Sequence, residues 1–257
     1  MLLSDKIILV SGGTQGVGAG IARAAAREGA VVVVTGRRPE VGAAFVENLT
    51  ATGAEGSFVQ VDVADIPAAQ ASVATVVDQY GRIDGLVNAA GLTTRGTLLD
   101  TTPELFDSHI AINLRAPFFL MQAAVADMVR SGAGGSIVNV ITMSAHGGQP
   151  YLAPYVAAKA GLIGLTKNVA HAHRWDKIRI NGINIGWTET EGEDQIQRRF
   201  HGADDDWLAQ AGASLPMGKL GQVDDVARLA ILLLSEASGV VTGSIIDWDQ
   251  NVPGAHD

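Results

Sequence analysis

A short apolar segment that runs directly into a glycine-rich loop constrains the fold of this chain more than any other feature. Residues 7–10 are apolar, residues 11–18 read Ser-Gly-Gly-Thr-Gln-Gly-Val-Gly, and an alanine-rich helical pattern continues to residue 26. A second apolar segment follows at 31–35. A glycine loop between a buried strand and a helix presents backbone N–H groups and the positive helix end to an anion. The order therefore predicts a β-α-β unit that holds a pyrophosphate.

The backbone freedom that a bound pyrophosphate requires is supplied in this loop by Gly12, Gly16 and Gly18. They permit a tight turn, a close approach of the backbone to the phosphates, and close packing of the helix on the strand. We therefore expect the loop to bind a dinucleotide cofactor through Gly12, Thr14, Gln15, Gly16, Val17 and Gly18.

The end of the second strand indicates which dinucleotide is preferred. A fold that prefers NAD places an Asp or Glu there to bind the adenosine ribose, whereas this chain has Gly36-Arg37-Arg38. An arginine without an adjacent carboxylate leaves room and positive charge for a 2′-phosphate. We therefore expect NADP rather than NAD, with Arg37 as the contact; the alternative is a solvated arginine pair.

The rest of the chain alternates predicted strands with predicted helices. Further strands are expected at 57–61, 85–87, 136–141, 178–185 and 244–248. Further helices are expected at 40–52, 67–80, 102–130, from about 154 through Lys159, and at 223–237. Hydrophobic residues make up 47% of the chain and aromatic residues only 5%, which suits a parallel sheet covered by helices. We expect one α/β domain over 1–257, with the polar segment 187–216 folding over the site as a lid or a pair of short helices.

Composition and charge exclude several classes of function. The chain has no Cys, which excludes disulfides and thiol catalysis, and its net charge of -9 argues against a nucleic acid or an anionic membrane as partner. His171 and His173 lie two apart on an expected helix and point to different faces, so no metal site is predicted. No segment has the length of a signal peptide core or a membrane span, and we expect a cytoplasmic protein.

Tyr155 and Lys159 are the strongest candidates for chemistry. At a spacing of four residues on a helix, the phenol and the ammonium lie on one face within a turn of each other. A neighbouring cation favours the phenolate, which lowers the pKa of a tyrosine and makes it a usable acid or base. The same spacing also occurs by chance on half-buried helices.

Other candidates lie at strand ends and in one helix interior. Asp62, next to Val63, could bind an adenine amine, and the small residues from Asn88 to Gly91 allow a flat cofactor to lie against the backbone. Asn113 is unfavourable in mid-helix, so its side chain is expected to bond a backbone carbonyl or a water.

Taken together, these motifs resemble the short-chain dehydrogenase/reductase family of the common 250-residue type. The resemblance rests on five motifs in order: the loop 11–18, Asn88-Ala-Ala-Gly91, Asn113, the strand-end hydroxyl of Thr142, and Tyr155-x-x-x-Lys159. It implies a Rossmann-like, doubly wound sheet of seven parallel strands in the order 3-2-1-4-5-6-7, with helices on both faces. It also implies a homotetramer that binds NAD or NADP.

The resemblance further implies a role for each catalytic candidate. Tyr155 would be the general acid/base, Lys159 would bind the nicotinamide ribose and lower the pKa of Tyr155, and Asn113 would hold a water in the proton path. The family usually has Ser thirteen residues before the tyrosine; here Thr142 is expected to polarise the carbonyl, with Ser144 as the alternative.

Two further departures from the family pattern lie near the end of the chain. Ile185 stands where a Pro-Gly pair is usual, although Gly186, Thr188 and Thr190 keep the spacing for cofactor contacts. The segment 247–251, Asp-Trp-Asp-Gln-Asn, replaces a small Asp-Gly-Gly turn, which we expect to alter subunit packing.

The loops implied to border the substrate are polar. They follow the fourth strand at 93–95 and precede Tyr155, and their expected substrate contacts are Ser144, His146, Gln149 and Trp187. The expected reaction interconverts a secondary alcohol and a ketone or aldehyde, on a small molecule such as a sugar or polyol. The alternatives are a nucleotide-sensing or scaffold protein without catalysis, and a reductase of C=C bonds.

Overall fold

A seven-stranded parallel sheet forms the centre of the protein in the computed structural model, which describes residues 1–254. The strands are β1 Ile7–Ser11, β2 Val31–Gly36, β3 Gly56–Gln60, β4 Gly85–Asn88, β5 Gly135–Thr142, β6 Ile178–Ile185 and β7 Ile245–Trp248. Their order is β3-β2-β1-β4-β5-β6-β7, which confirms the expected doubly wound topology. The expected domain ran to 257, and residues 255–257 lie outside the described part.

Helices cover both faces of this sheet. They are α1 Gly16–Arg27, α2 Pro39–Thr50, α3 Ile66–Tyr80, α4 Pro103–Ile110, α5 Ala116–Ser131, α6 Ala153–Ala172, α7 Glu191–His201, α8 Trp207–Ala213 and α9 Val223–Leu234. One core packs α1, α2 and α9 against the sheet, and a second core packs α3, α5 and α6 against the opposite face.

The apolar pattern of β1 explains why both faces are covered. All five of its residues are buried. Because successive side chains of a strand point to opposite faces, Ile8 and Val10 join one core while Ile7 and Leu9 join the other. A strand that is apolar at four successive positions, 7–10, therefore requires helices on both sides.

The strand order reverses between β1 and β4, and this reversal positions the site. β1 pairs with β2 on one side and with β4 on the other. The connections that follow β1 and β4 therefore run toward opposite edges of the sheet. Ser11 lies opposite Thr35 and Asn88 at the carboxyl ends of the three strands. Ligands of doubly wound sheets bind in the crevice that such a reversal opens.

The long helix expected at 102–130 is interrupted. A π-helical turn, Ala111–Arg115, separates α4 from α5. Thr102 caps the start of α4, since its side chain accepts a hydrogen bond from the amide of Leu105. The interruption surrounds Asn113, and π-helical turns are frequent at functional sites. The expected long helix is therefore present, from Pro103 to Ser131, with one π-helical turn inside it.

The segment expected to form a lid or a pair of short helices contains α7 and α8. Thr190 caps α7 by accepting a hydrogen bond from the amide of Glu193. A small apolar cluster of Trp207, Ala211 and Leu220 holds α8 against the chain that follows it. Within the described residues, no helix has both the length and the hydropathy needed to cross a membrane.

Truncation of Leu86 tests the importance of the central strands. Leu86 is fully buried in β4, whereas Leu99 is 96% exposed. We expect Leu86→Ala to lower the free energy of unfolding by about 3 kcal/mol through lost burial and a residual cavity. Leu99→Ala, the matched control, should change it by less than about 0.5 kcal/mol. Urea denaturation measures both, and equal effects would contradict the proposed core.

Candidate functional site

The glycine loop between β1 and α1 is packed too tightly for larger residues. Gly12 has a positive φ of 73°, and a Cβ atom there would lie 2.6 Å from the Cα of Ala90. A Cβ atom at Gly18 would lie 2.2 Å from the carbonyl oxygen of Gly12. α1 begins at Gly16, and the N-cap residue Gln15 makes no side-chain hydrogen bond to the first turn. The amides of that turn remain available, so the loop fits a dinucleotide pyrophosphate.

The remaining loop residues face the sheet. Thr14 lies against the end of β2, where a Cβ atom at Gly36 would be 2.9 Å from its hydroxyl oxygen, and Val17 packs against the core. Beneath the loop, the hydroxyls of Ser11 and Thr35 are buried without a hydrogen-bond partner among the residues described. Unpartnered polar atoms at the base of a cleft favour a site that binds a polar ligand.

The arginine that contacts the loop is Arg38. Its guanidinium donates a hydrogen bond to the side-chain oxygen of Gln15. Arg37, which the sequence analysis selected, offers its backbone carbonyl to the side chain of Gln60 instead. The role of Arg37 in cofactor binding stays a prediction, and the contact of Arg38 with Gln15 adds Arg38 as a second candidate.

The expected adenine and nicotinamide contacts lie at the ends of the next strands. Asp62 uses one carboxylate oxygen to accept a hydrogen bond from the amide of Ala64 at 3.0 Å, and Val63 is buried beside it. Asn88 donates to the side-chain oxygen of Asn139 at 2.8 Å. Its own side-chain oxygen is buried and has no partner among residues 1–254. These groups are expected to bind the cofactor, and they lie along one edge of the sheet.

Tyr155 and Lys159 lie together in the first two turns of α6. Both are buried, with 8% and 4% of their surfaces exposed. The ammonium of Lys159 lies 6.0 Å from the centre of the Tyr155 ring and donates a 2.7 Å hydrogen bond to the carbonyl of Val140 in β5. The spacing of four residues therefore does bring the phenol and the cation together.

A chain of hydroxyl groups runs from the end of β5 beside Tyr155. Thr142 is buried and donates from its hydroxyl to the hydroxyl oxygen of Ser144 at 3.2 Å, and Ser144 donates to the side chain of Gln149 at 2.6 Å. The Thr142 hydroxyl is also close enough to Tyr155 to influence its pKa. Thr142 therefore stays the first candidate for the catalytic hydroxyl, with Ser144 as the alternative.

Burial dominates the electrostatics of this pair. It raises the pKa of Tyr155 to about 12, while the Thr142 hydroxyl opposes the rise; the charge of Glu193 raises this pKa further and that of Arg95 lowers it. Burial also lowers the pKa of Lys159 to about 8. Desolvation of the phenolate is the largest contribution, so the net pKa is raised; the expected lowering of this pKa by Lys159 stays a prediction. Tyr155 is a neutral phenol at neutral pH.

Asn113 joins the π-helical turn to the loop after β4. Its side-chain oxygen accepts a hydrogen bond from the amide of Leu92, and its side-chain nitrogen donates to the carbonyl of the same residue, both at 3.0 Å. The nitrogen also lies 3.2 Å from Nδ1 of His109. The expected bond to a backbone carbonyl is confirmed. Gly91 lies beside this contact, since a Cβ atom there would be 3.5 Å from the Asn113 oxygen.

His146 and Trp187, two expected substrate contacts, bond to neighbouring carboxylates. Nε2 of His146 lies 3.0 Å from the carboxylate of Asp247, and Asn184 donates to the same oxygen at 2.7 Å. The indole of Trp187 donates to Glu193 at 2.8 Å. Residues 1–254 bring no three His, Cys, Asp or Glu side chains together as a metal-binding group.

The segment after β6 returns to the glycine loop. The hydroxyl of Thr188 donates to the carbonyl of Gly186 at 2.9 Å, and a Cβ atom at Gly16 would lie 3.7 Å from the Thr190 methyl. Asp249 occupies the space beside Gly186, where a Cβ atom would be 2.1 Å from its carboxylate. The altered segment 247–251 therefore packs inside this subunit, against the strand ends.

Three side chains connect α7 to the loops that border the phenol. Arg95 donates to Nε2 of His201, with nitrogen distances of 3.1 and 3.3 Å, and its guanidinium lies 5.3 Å from the ring centre of Tyr151. The rings of Tyr151 and His201 meet edge to face at 5.5 Å. A pocket of about 310 Å³ opens beside His201, between Trp187 and Trp207. This arrangement holds α7 against the mouth of the cleft.

The sequence analysis missed His109 in the site. His109 is fully buried, and its ring meets that of Tyr155 edge to face, with centres 6.2 Å apart. Its position four residues before Asn113 places both side chains on one helix face, a signal that was available from the sequence.

Comparison with known proteins agrees with this geometry. A protein-family model described as enoyl-(acyl carrier protein) reductase matches residues 12–250. A 3-oxoacyl-[acyl-carrier-protein] reductase FabG of Chlamydia pneumoniae is 33% identical and covers 96% of each chain. An L-rhamnose 1-dehydrogenase (NAD(P)(+)) of Azotobacter vinelandii is 33% identical and covers 95% of each. The crystal structure of a variant actinorhodin polyketide ketoreductase with NADPH superposes with a TM-score of 0.92, at 28% identity and 98% coverage of each chain.

The fold, the glycine loop and the tyrosine-lysine pair define a dinucleotide-binding oxidoreductase. The chain belongs to the short-chain dehydrogenase/reductase family, so the resemblance drawn from its motifs is confirmed. It is an enzyme that carries out NAD(P)-dependent oxidation or reduction of a small molecule.

The buried Lys159 should make stability depend on pH. Its pKa falls from 10.5 in the unfolded chain to about 8 in the native protein, so between these values the unfolded chain binds more protons at this group. Stability should therefore rise with pH across this window, by about 1 kcal/mol per pH unit. We expect the free energy of unfolding of the wild type to rise between pH 8 and 10. The variant Lys159→Met, which retains Tyr155, should lack this rise. Urea denaturation measures the difference, and parallel pH curves for both proteins would contradict it.

Proposed function

We propose that the enzyme interconverts a secondary alcohol and a ketone, or an aldehyde and its alcohol, with Tyr155 as general acid and base. The observation that carries this proposal is the buried phenol of Tyr155, with a hydroxyl on one side and the ammonium of Lys159 one turn away. When bound, the nicotinamide supplies the hydride for reduction and accepts it in oxidation.

The Tyr155 phenol supplies the proton in the reductive direction. Because burial holds its pKa at about 12, the phenol is protonated at neutral pH and can donate to the developing alkoxide oxygen. The hydroxyl of Thr142 donates to the same oxygen in place of its bond to Ser144. Proton loss leaves a phenolate, and the charge of Lys159 stabilises it more strongly than it affects the neutral phenol. In oxidation the phenolate takes the proton back.

Asn113 and Lys159 act around this proton transfer. Lys159 donates to the carbonyl of Val140, which orients its ammonium beneath the tyrosine ring, and we propose that it also binds the nicotinamide ribose. Asn113 holds the loop after β4 through Leu92. Its role in holding a water in the proton path stays a prediction.

Replacement of Tyr155 tests the chemistry directly. We expect Tyr155→Phe to lower kcat at least about a hundredfold, because the general acid is lost, while the dissociation constant of the cofactor changes little. Tyr80→Phe is the matched control, since its ring lies at the end of α3 outside the site. Turnover is followed by the absorbance of the reduced nicotinamide. Near-normal activity of Tyr155→Phe would refute the assignment.

We further propose that NADP is preferred over NAD. The guanidinium of Arg38 hydrogen-bonds Gln15 and so provides a positive charge beside the glycine loop. The end of β2, residues 36–38, carries no carboxylate. The structural relative that was crystallised with NADPH supports the same preference.

The two arginines provide a matched test of this preference. We expect Arg38→Ala to weaken NADPH binding about tenfold with little effect on NADH, because only NADPH carries the 2′-phosphate. Arg37→Ala should change both constants by less than about threefold, since its contact to Gln60 uses only the backbone. Calorimetry with each cofactor measures the constants. A larger loss in Arg37→Ala than in Arg38→Ala would reverse the assignment.

Two alternatives make different predictions in a substrate screen. The family description names an enoyl reductase, so reduction of an activated C=C bond is one of them. The hydroxyl of Thr142 beside Tyr155 favours a carbonyl oxygen over an alkene carbon. A nucleotide sensor would bind cofactor without turnover. A panel of sugars, polyols, keto acids, ketosteroids and enoyl thioesters separates the three.

The substrate and the assembly are also proposed. A sugar or polyol is supported by the polar side chains at the mouth of the cleft, such as Arg95 and His201, and by the similarity to an L-rhamnose dehydrogenase. The family resemblance supports a homotetramer. Exposed apolar side chains on α5, Phe118 and Val129, support burial of this helix between subunits.

A further inference from the structure

The loop after β4 is held at three points beside Tyr155. Leu92 is bonded through both of its backbone groups to Asn113, and Thr94 lies 3.1 Å from Nε2 of His109. Gly96 is paired with the segment that enters α6, since its amide donates to the carbonyl of residue 151 and its carbonyl accepts from the amide of residue 153. The intervening residues therefore have a fixed position next to the phenol.

The hydrogen bonds around His109 determine its tautomer. The backbone amide of Leu92 requires an acceptor, so the atom of Asn113 that faces it is the oxygen and the other is the NH₂ group. That NH₂ group faces Nδ1 of His109, which must then accept. Burial lowers the pKa of His109, which favours the neutral ring. The proton of a neutral imidazole is therefore on Nε2, which faces Thr94: the hydroxyl oxygen of Thr94 lies 3.1 Å away and can only accept from this N–H, and the backbone of Thr94 also hydrogen-bonds the ring.

The Thr94 hydroxyl is consequently a hydrogen-bond donor. Its oxygen already accepts from His109, and its own proton has no acceptor in the part of the chain that the structure describes. With its oxygen held by the neutral imidazole, the Thr94 hydroxyl can donate its proton to a ligand in the cleft. Its preferred partner is an oxygen atom of the ligand.

Thr94 and Tyr155 both contact the ring of His109. The imidazole lies 3.1 Å from the Thr94 hydroxyl through Nε2, and its ring meets the Tyr155 ring edge to face with the centres 6.2 Å apart. A substrate carbonyl at the phenol thus has a second polar group of the protein close by. Substrates with an oxygen next to the reacting carbon can use both groups.

We propose that Thr94 binds a second substrate oxygen adjacent to the reacting carbon, and that His109 is the positioning residue that orients its hydroxyl. The substrate class is an α-hydroxy ketone, or a vicinal diol in the oxidative direction. This inference rests on the proposed function. A site that hydrogen-bonds a substrate hydroxyl discriminates strongly against an analogue without it.

Hydroxyacetone and butan-2-one provide a test, because they differ by one hydroxyl in place of a methyl. We expect the wild type to favour hydroxyacetone in kcat/KM by about tenfold or more. Thr94→Val, which keeps the shape, should reduce this ratio to about one, and Thr94→Ser should restore the preference. His109→Phe should lower the ratio as Thr94→Val does, and the double variant should show no additional loss.

The outcomes separate this inference from the proposed function. An unchanged ratio in Thr94→Val, or additive effects in the double variant, would overturn the roles of Thr94 and His109, as would a wild type that reduces both ketones equally. Failure of the wild type to reduce any carbonyl compound would defeat the proposed function. In that case ¹⁵N NMR of the His109 imidazole still tests the contact: the Nε2–H tautomer, altered in Thr94→Val, supports it, and an Nδ1–H or charged ring overturns it.

Discussion

The site depends on the burial of two ionisable groups, Tyr155 and Lys159, against the end of β5. Their removal from water keeps the phenol protonated and brings the pKa of the amine close to neutrality. The bond from Lys159 to the carbonyl of Val140 is what makes this burial tolerable, since an ammonium without a partner would be very costly there. α6 can supply both groups only because its first turns lie against the end of β5, the strand that neighbours β4. The contact between α6 and β5 therefore stabilises the fold and also positions the two ionisable groups.

Around this pair, the cleft is assembled from segments that are distant in the sequence. Asn113 and His109 fix the loop after β4, and the cluster of Arg95, Tyr151 and His201 holds α7 to the same loop. The mouth of the site thus depends on these side chains together with the backbone pairing of Gly96. The polar character of these contacts is consistent with a hydroxylated substrate.

The order of the motifs was sufficient to identify the family, and this resemblance implied the topology that the structure has. Properties that depend on three-dimensional surroundings could not be predicted from the sequence in this way. Arg37 and Arg38 are equivalent in a sequence, and only the path of β2 decides which one reaches Gln15. The direction of the Tyr155 pKa depends on desolvation, which the spacing to Lys159 does not reveal. The contact of His109 with Thr94 crosses a loop, so no periodic pattern predicted it.

The π-helical turn at Ala111–Arg115 has a consequence for how this chain can vary. Such a turn contains one residue more than an α-helical turn. Deletion of a single residue there would restore regular α-helical winding and leave α4 and α5 in nearly the same orientation, because the wide turn absorbs the extra residue. A deletion between His109 and Asn113 would instead change the four-residue spacing that brings these two side chains together. Sequence length in this short segment is therefore as strictly constrained as the identity of its polar residues.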